Sequence, residues 1–276
     1  MDKLLYRLLV LFLVATFLIS GTFVARYIID ALTQKNKYDE LAAQVIQSRA
    51  DALQETAPAT PAAVSPDQTP DETVPAATAP EEPAAPVILP EYVAPYEENS
   101  DLVGWIVIDG TTINYPVMQT PEHANYYLNR NFQKEKNAHG CLYVDESCDV
   151  FLPSDNLTIY GHHMKDGSMF TGLKKFRNPE FWEKYHTIDF DTLYERHSYT
   201  IFAVFTTTAS KGQGFSYHRF KDATDEAEFD EFVSTCKSLS LYDTGITPKY
   251  GDKLISLSTC EYSQADGRLV VVAVRN

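Results

Sequence analysis

The sequence predicts a mainly β domain, either a barrel or a sandwich, that an N-terminal helix and a spacer hold outside a membrane. Three observations predict this organisation. Short β-prone runs separated by turns fill the C-terminal part of the chain, which is typical of barrels and sandwiches. An uncharged apolar run of 18 residues lies near the N terminus, and a stretch rich in proline and acidic residues separates it from the strands.

Residues 1–30 are predicted to form a transmembrane signal anchor. Residues 8–25 are uncharged, and a helix needs roughly 20 apolar residues to span a bilayer. A cleaved signal peptide is the alternative. It is disfavoured because no small-x-small cleavage site follows the run, which Tyr27, Ile28 and Ile29 extend. Positive residues flank the apolar run on both sides, so the positive-inside rule says little about how the helix is oriented in the membrane. The large acidic body favours a cytoplasmic N terminus and an exported C terminus.

The next two segments are predicted to be a membrane-proximal helix and a linker. Residues 31–55 combine mixed charges with good helix formers, and residues 56–91 are rich in Pro, Ala and Glu. Ten prolines and eight acidic residues, but no Lys or Arg, lie within residues 56–98. Such a stretch cannot bury enough apolar surface to fold, so we expect a disordered, extended extracellular linker. Residues 92–276 are then the folded body.

The charge distribution excludes one class of partner. The formal net charge is −15, of which −8 lies in residues 56–98 and −7 in residues 99–276. Nucleic-acid binding needs a basic face. We therefore expect no nucleic-acid partner.

The body contains seven predicted strands and two predicted helices. The strands cover residues 105–110, 113–118, 142–144, 157–160, 198–206, 252–258 and 268–274. One helix begins at Asn178, a good N-cap followed by Pro179. The other covers residues 225–239, where Phe229 and Phe232 belong to an apolar stripe at helical spacing. It lies within a long insertion, and such insertions often carry substrate contacts.

Two neighbouring strand ends carry a thiol and a guanidinium. Cys260 follows one apolar run, Arg268 opens the next, and a short loop joins them, so a hairpin would place the two side chains together. A thiolate is a good nucleophile, and His162 could carry protons for it. Arg268 cannot act as a base, because its pKa is above about 12. The alternative is a structural cysteine with ordinary loop histidines, and His163 competes with His162 for the catalytic role.

The other three cysteines are predicted to be structural. Cys236 lies on the apolar stripe of its helix and Cys141 opens a strand, so both fit as small buried hydrophobic residues. A disulfide between Cys141 and Cys148 is the alternative, although a body of this size has core enough without one. No Cys-x-x-Cys pair or clustered His and Cys spacing predicts a zinc site.

Ordered motifs across residues 99–274 resemble the sortases, cysteine transpeptidases of the Gram-positive cell envelope, and most closely their class B branch. The motifs are DLVGWI from Asp101, YPVMQ from Tyr115, YYLNR from Tyr126, YGHHMKDGSMF from Tyr160, LSTCEY from Leu257 and GRLVVVA from Gly267. The resemblance implies an eight-stranded β-barrel with short flanking helices, and the helix-bearing insertion is typical of class B. The sequence departs from the family pattern at Cys141 and Leu142, where the family would have a small hydroxyl residue followed by an aliphatic residue.

The resemblance also assigns catalytic roles. It implies that Cys260 is the nucleophile, that His162, directly after the Tyr-Gly pair, is the acid/base, and that Arg268 holds the substrate and the oxyanion. The implied peptide groove is lined by Ser258, Glu261, Leu128 and Tyr217. For Leu128 the alternative is a core position, and for Tyr217 it is an ordinary surface aromatic.

The implied reaction cleaves the C-terminal sorting signal of a secreted protein after Thr, through a thioacyl-enzyme. The acceptor is an amine, either of a peptidoglycan cross-bridge or of a pilin lysine, and the chemistry requires no metal or organic cofactor. The enzyme would be a single-pass protein of the cell membrane with its catalytic domain on the cell-wall side. Two other classes compete with this interpretation. A papain-like hydrolase is disfavoured because such enzymes place Cys before His, and a non-enzymatic surface domain leaves the Cys, His and Arg spacing unexplained.

Overall fold

The structure is a computed structural model, and it describes most of the chain. The described residues are 3–55, 86–210, 212–262 and 266–276. The predicted linker, residues 56–91, therefore lies outside the described residues except at its C-terminal end. There a short helix, α2 (Pro90–Glu98), begins.

One continuous helix, α1 (Lys3–Glu55), contains both the predicted anchor and the predicted membrane-proximal segment. Within the described part of the chain, it is the one helix that is long and apolar enough to cross a bilayer. Its N-terminal half is exposed, whereas its C-terminal half buries Tyr38, Leu41, Ala42 and Val45. The partner of the membrane-proximal segment, which the sequence did not reveal, is the folded body itself.

Eight strands close into a barrel, as the sequence analysis expected. They are β1 (Leu102–Val107), β2 (Asn114–Met118), β3 (Leu142–Val144), β4 (Asn156–Tyr160), β5 (Thr187–Thr192), β6 (Ser198–Thr208), β7 (Leu254–Glu261) and β8 (Gly267–Arg275). Their order around the barrel is β1-β2-β3-β4-β7-β8-β6-β5. The β2–β3 and β4–β7 pairs are parallel, and the other pairs are antiparallel. Closure leaves no open sheet edge.

Both predicted helices of the body are present, and each begins at a side-chain cap. In α3 (Pro179–Lys184), the Asn178 side chain accepts a hydrogen bond from the Glu180 amide. In α4 (Glu226–Leu239), the Asp225 side chain accepts one from the Glu228 amide. The remaining helical turns are short 3₁₀ segments at Tyr126–Asn129, Phe170–Arg177 and Tyr217–Arg219.

Strand β5 was not among the strands predicted from the sequence. Its segment contains Asp189 and Asp191, and aspartate is depleted in strands. The structure accommodates Asp191 because its carboxylate accepts hydrogen bonds from Arg49 Nη2 at 2.6 Å and from the Tyr92 hydroxyl at 2.7 Å. The positive charge that compensates Asp191 in this strand is therefore supplied by Arg49 of α1, which is far away in sequence.

The unbroken apolar run of β8 is explained by burial on both faces. Leu269, Val271 and Ala273 belong to the main core of the barrel. The alternate residues, Val270 and Val272, belong to a second apolar cluster that also contains residues of α4. Because successive side chains of a strand point to opposite faces, the even-numbered positions of β8 lie on the outer face of the barrel.

A buried carboxylate joins α1 and α2 to the barrel. Glu91 is 1% exposed, and its Oε1 accepts hydrogen bonds from Arg49 Nε at 3.0 Å and from Arg196 Nη2 at 2.5 Å. Burial by itself raises the pKa of Glu91. Hydrogen bonds from its own backbone and from Arg196, together with the charges of Arg196 and Arg49, nevertheless hold that pKa below its ordinary value.

We predict that Glu91→Gln destabilises the full chain in detergent micelles by about 2 kcal/mol at pH 7, because charge-assisted hydrogen bonds are lost. The folded pKa of Glu91 is lowered, so its ionisation stabilises the fold above the unfolded pKa of about 4.3. That stabilisation disappears as the pH falls through the folded pKa. The variant and the wild type should therefore converge in strong acid. Denaturant unfolding followed by circular dichroism at several pH values measures the difference.

The matched control is Glu97→Gln, since Glu97 is exposed on the same helix. It should leave the unfolding free energy within about 0.5 kcal/mol of the wild type. A Glu91→Gln difference that stays constant from pH 7 into strong acid would contradict the assigned role of the carboxylate.

Candidate active site

The register of β7 against β8 brings Cys260 opposite Arg268, as the predicted hairpin requires. Leu257 of β7 belongs to the barrel core and therefore faces inward. Side chains alternate between the two faces of a strand, so Cys260, three positions later, lies on the outer face. By the same alternation in β8, Arg268 also lies on the outer face. Both residues are partly exposed. The thiol and the guanidinium are therefore neighbours on the outside of the barrel.

His162 reaches the same place because β4 runs parallel to β7. Tyr160 pairs with Ser258, and the Gly161 amide donates a hydrogen bond to the Ser258 carbonyl at 3.1 Å. Two residues further along each chain, His162 and Cys260 line one cleft of about 270 Å³ with Arg268. Position 161 has to be glycine, because an added Cβ would lie 2.6 Å from a ring carbon of Phe170.

A hydrogen bond fixes the tautomer of His162. Its Nε2 lies 2.7 Å from the Leu128 carbonyl oxygen. A carbonyl oxygen can only accept, so Nε2 carries the hydrogen. The nitrogen left to gain and lose a proton is Nδ1. The ring is thus held in the orientation and the tautomer that a proton carrier needs.

His163 has a different environment. Its Nδ1 donates a hydrogen bond to the Cys260 carbonyl oxygen at 3.0 Å, and its ring lies against that of Tyr262 with centroids 5.2 Å apart. The Tyr262 hydroxyl donates in turn to the His163 carbonyl at 3.0 Å. His163 therefore holds the backbone at the end of β7, and it is His162 that lines the cleft beside the thiol.

Arg268 is oriented by backbone carbonyls next to it in sequence. Its Nη1 donates to the Gly267 carbonyl at 2.9 Å and to the Asp266 carbonyl at 3.3 Å. Within the described part of the chain, Nε and Nη2 make no hydrogen bond. A fixed guanidinium with unused donors is suited to an oxyanion or to a peptide carbonyl.

Comparison with known proteins agrees with this geometry. The family model of the Sortase domain matches residues 106–276. The chain belongs to the sortase family. Its relatives include the sortase B proteins of Staphylococcus aureus and Listeria monocytogenes. The first is 31% identical over 188 residues, covering 67% of this chain and 75% of that protein. The second is 33% identical over 176 residues, covering 63% and 69%.

A solved structure extends the likeness to almost the whole chain. The substrate complex of Staphylococcus aureus sortase B has a TM-score of 0.71 and 26% identity, and it covers 90% of this chain and 98% of that one. Homology to sortase B makes this sortase a cysteine transpeptidase of the cell wall, and the class B resemblance inferred from the motifs is confirmed.

Three of the four predicted substrate contacts of this sortase lie together. Leu128, Tyr217 and Ser258 line the cleft that contains Cys260. Tyr217 is 4% exposed, so it is not a surface aromatic, and its hydroxyl lies 2.5 Å from Ser258 Oγ. Leu128 is half-buried and packs against the main core while its other side lines the cleft. Glu261 is absent from the cleft lining among the described residues. Its carboxylate pairs with Arg177 Nη1 at 3.0 Å.

Several further residues of the sortase cleft were missed from the sequence, among them two tyrosines and a histidine. Tyr143, Tyr160 and His218 also line it. Burial lowers the pKa of His218, and burial followed by nearby carboxylates raises the pKa of Tyr143 and of Tyr160. All three are therefore uncharged near neutral pH. For two of them, the sequence offered a signal that they lie near the site, because Tyr160 directly precedes Gly161 and His218 directly follows Tyr217.

The remaining three cysteines of the sortase are buried and free. Cys141 and Cys148 form no disulfide, so that alternative is wrong. Burial raises the pKa of Cys141 to about 12 and that of Cys148 to about 11, and burial also raises the pKa of Cys236. These three remain neutral thiols near neutral pH, whereas Cys260 is the cysteine that solvent can reach.

We predict that Tyr217→Phe and Ser258→Ala each destabilise the sortase by about 1 kcal/mol. Each change removes one hydroxyl of the hydrogen-bonded pair and leaves the other hydroxyl buried without that partner. The double variant should lose less than the sum of the two, since both changes remove one hydrogen bond. Denaturant unfolding of the full chain in micelles measures the coupling.

Tyr250→Phe provides the control, because Tyr250 lies in the same insertion and is 49% exposed. It should be neutral and should add independently to Ser258→Ala. Strict additivity of the Tyr217 and Ser258 changes would show that the hydroxyl pair does not join the insertion to β7.

Proposed function

We propose that this sortase cleaves the C-terminal sorting signal of secreted proteins after Thr, through a thioacyl-enzyme on Cys260. It then transfers the protein to an amine of the peptidoglycan cross-bridge. His162 is the acid/base in this reaction and Arg268 holds the oxyanion. The observation that carries the proposal is the facing pair of Cys260 and Arg268 on adjacent strands, with His162 in the same cleft.

Acylation uses all three side chains. The Cys260 thiolate forms a bond to the Thr carbonyl carbon, and the electron pair of the carbonyl moves onto its oxygen. The Nε and Nη2 donors of Arg268 stabilise that oxyanion, an effect on the order of 3 kcal/mol for one such donor. When the carbonyl re-forms, the bond to the leaving nitrogen breaks, and protonated His162 gives that nitrogen the proton from Nδ1.

Transfer to the acceptor reverses these roles. The acceptor amine forms a bond to the thioester carbon and loses a proton to Nδ1 of His162. The tetrahedral intermediate again places its oxygen beside Arg268, and its collapse releases the Cys260 thiolate. One peptide bond is broken and one amide is formed, so the energy of the first bond is conserved in the thioester without hydrolysis.

The lining of the cleft is compatible with a peptide. It carries uncharged tyrosine and serine hydroxyls, and Leu128 adds an apolar wall. One solved structure with a similar fold is a sortase B in complex with its substrate. By this likeness we assign peptide contacts to Leu128, Tyr217 and Ser258. Glu261 was also expected in the groove. It follows the nucleophile directly in sequence, and its carboxylate pairs with Arg177.

We place the catalytic domain on the extracellular side of the cell membrane. The apolar half of α1 is long enough to span the bilayer, and the substrates are secreted proteins. A domain of this size is translocated largely regardless of its charge. The N terminus is then cytoplasmic, and residues 56–91 link the anchor helix to the barrel.

We predict that the full chain in detergent micelles converts a fluorogenic sorting peptide to an amine-ligated product only when an acceptor amine is present. Cys260→Ala should reduce product formation at least about a thousandfold, because the variant lacks the thiol that forms the thioester. Mass spectrometry should detect the thioester on Cys260 when the acceptor is omitted.

Two acceptors are compared, a short peptide with a free N-terminal amine and a pilin-like peptide with a lysine side chain. Preference for the lysine peptide would replace wall anchoring by pilus assembly. Hydrolysis of ordinary wall peptides without ligation would support a cysteine hydrolase instead. Full activity of Cys260→Ala would refute the mechanism.

We predict that Arg268→Lys lowers kcat/KM roughly 100-fold, because Lys keeps the charge but loses the planar array of donors. The melting temperature should change little, since the Arg268 side chain is partly exposed. The control is Arg275→Lys, at the far end of the same strand, which should leave kcat/KM unchanged. If Lys supports the same rate as Arg at position 268, the oxyanion role has to be dropped.

A further inference from the structure

A short loop lies between the membrane-proximal part of α1 and the active site. This loop, residues 137–141, is contacted from α1 by Tyr38, which is 4% exposed. The Tyr38 hydroxyl donates a hydrogen bond to the Gly140 carbonyl at 2.9 Å and lies 3.0 Å from Cys141 Sγ. Burial raises the pKa of Tyr38 well above its ordinary value, so the hydroxyl keeps its proton. The anchor helix thus makes a specific polar contact with the loop.

The same loop supports the carbonyl that holds His162. Gly140 packs so closely on the 3₁₀ turn at Tyr126–Asn129 that an added Cβ would lie 2.6 Å from the carbonyl oxygens of both Tyr127 and Leu128. The Cys141 amide donates to the Tyr127 carbonyl at 3.0 Å. The Leu128 carbonyl is the acceptor for Nε2 of His162. One residue, Gly140, therefore separates the Tyr38 hydroxyl from the acceptor of the histidine.

A second contact joins the loop to the other side of His162. His139 is 4% exposed, and its Nε2 lies 2.6 Å from Oδ2 of Asp166. Asp166 belongs to the loop that His162 opens, and its Oδ1 accepts hydrogen bonds from the amide and the hydroxyl of Ser168. Loop 137–141 is therefore bonded both to the 3₁₀ turn that carries the acceptor of the His162 ring and to the backbone segment that follows His162.

We propose that Tyr38 is a positioning residue through which the anchor helix holds the catalytic histidine in its working tautomer. The proposal rests on the role of His162 given under Proposed function. Without the Tyr38 hydroxyl, the Gly140 carbonyl loses its donor, and the loop is held against Leu128 by its remaining hydrogen bonds alone. The acceptor that keeps the hydrogen on Nε2 of His162, and leaves Nδ1 for proton transfer, is then held less firmly.

This arrangement determines which kinetic constant changes. Tyr38 is not among the residues that line the cleft of Cys260, so its loss leaves the peptide contacts in place. Proton transfer by a misplaced or wrongly protonated imidazole is slower, because the rate depends on geometry before it depends on pKa. The effect therefore falls on kcat and on its pH dependence, and not on KM.

The test compares Tyr38→Phe with Arg49→Gln in the full chain in detergent micelles. Phe keeps the ring that packs edge to face on Tyr115 with centroids 5.4 Å apart, and it removes only the hydroxyl. Arg49 also docks α1 onto the barrel, through Glu91 and Asp191, but it has no contact with loop 137–141. Both changes weaken the docking of α1, and only one of them affects the loop.

We expect Tyr38→Phe to lower kcat about tenfold, which corresponds to one hydrogen bond, with KM within about twofold of the wild type. The pH profile of kcat should shift. The pH profile of Cys260 alkylation by iodoacetamide, with the labelled cysteine identified by mass spectrometry, should shift with it. Arg49→Gln should lower the melting temperature while kcat and both pH profiles remain those of the wild type. Rates are compared at a temperature where circular dichroism shows every variant fully folded.

Two results would overturn the proposal. One is a Tyr38→Phe enzyme with unchanged kcat and unchanged pH profiles. The other is an equal loss of kcat in Arg49→Gln, which would assign the effect to general loosening of α1. His162→Ala and His163→Ala separate this outcome from failure of the catalytic assignment. An active His162→Ala would remove the acid/base role itself, whereas an inactive His162→Ala with an active His163→Ala and a wild-type Tyr38→Phe would remove only the positioning role.

Discussion

The active site depends on a single register between β7 and β8. A shift of one residue would turn either Cys260 or Arg268 towards the barrel interior, because side chains alternate between faces. The register is held by apolar residues on both sides of the hairpin. Val271 and Ala273 are buried in the main core, while Val272 is buried on the outer face beneath α4. A slipped hairpin would place the Arg268 charge in the core, which costs far more than the pairing gains.

The active site also depends on a histidine, His162, from a separate part of the chain. Parallel pairing of β4 with β7 places the ends of both strands at the same rim of the barrel, so that His162 follows one strand as Cys260 ends the other. The helix that is long and apolar enough to cross a membrane also supports this rim. It is bonded to the barrel at two levels, through Tyr38 near the active-site loops and through Arg49 near β5. The candidate membrane span and the support of the rim therefore belong to one helix.

The sequence could predict those features that depend on residues close together in the chain. Cys260 and Arg268 are neighbours in a short hairpin, and the caps Asn178 and Asp225 act within one helical turn, so local patterns were sufficient. Strand β5 was missed because the residue that neutralises Asp191 comes from α1. The position of His218 in the cleft depends on how the insertion folds back over β7, which no local pattern records. The motif resemblance favoured His162 over His163, and the hydrogen bond from His162 to the Leu128 carbonyl exists only in the folded barrel.

The parallel β4–β7 pair also has a kinetic consequence. His163 contacts the Cys260 carbonyl at a sequence separation of 97 residues, and the segment between them includes β5, β6 and α4. Contacts of such high sequence separation form late, because the loop entropy has to be lost before the contact is gained. A nascent or partly folded chain carries the thiol without its histidine. Nucleophilic reactivity thus accompanies completion of the barrel, which limits side reactions of the thiol while the chain is still folding.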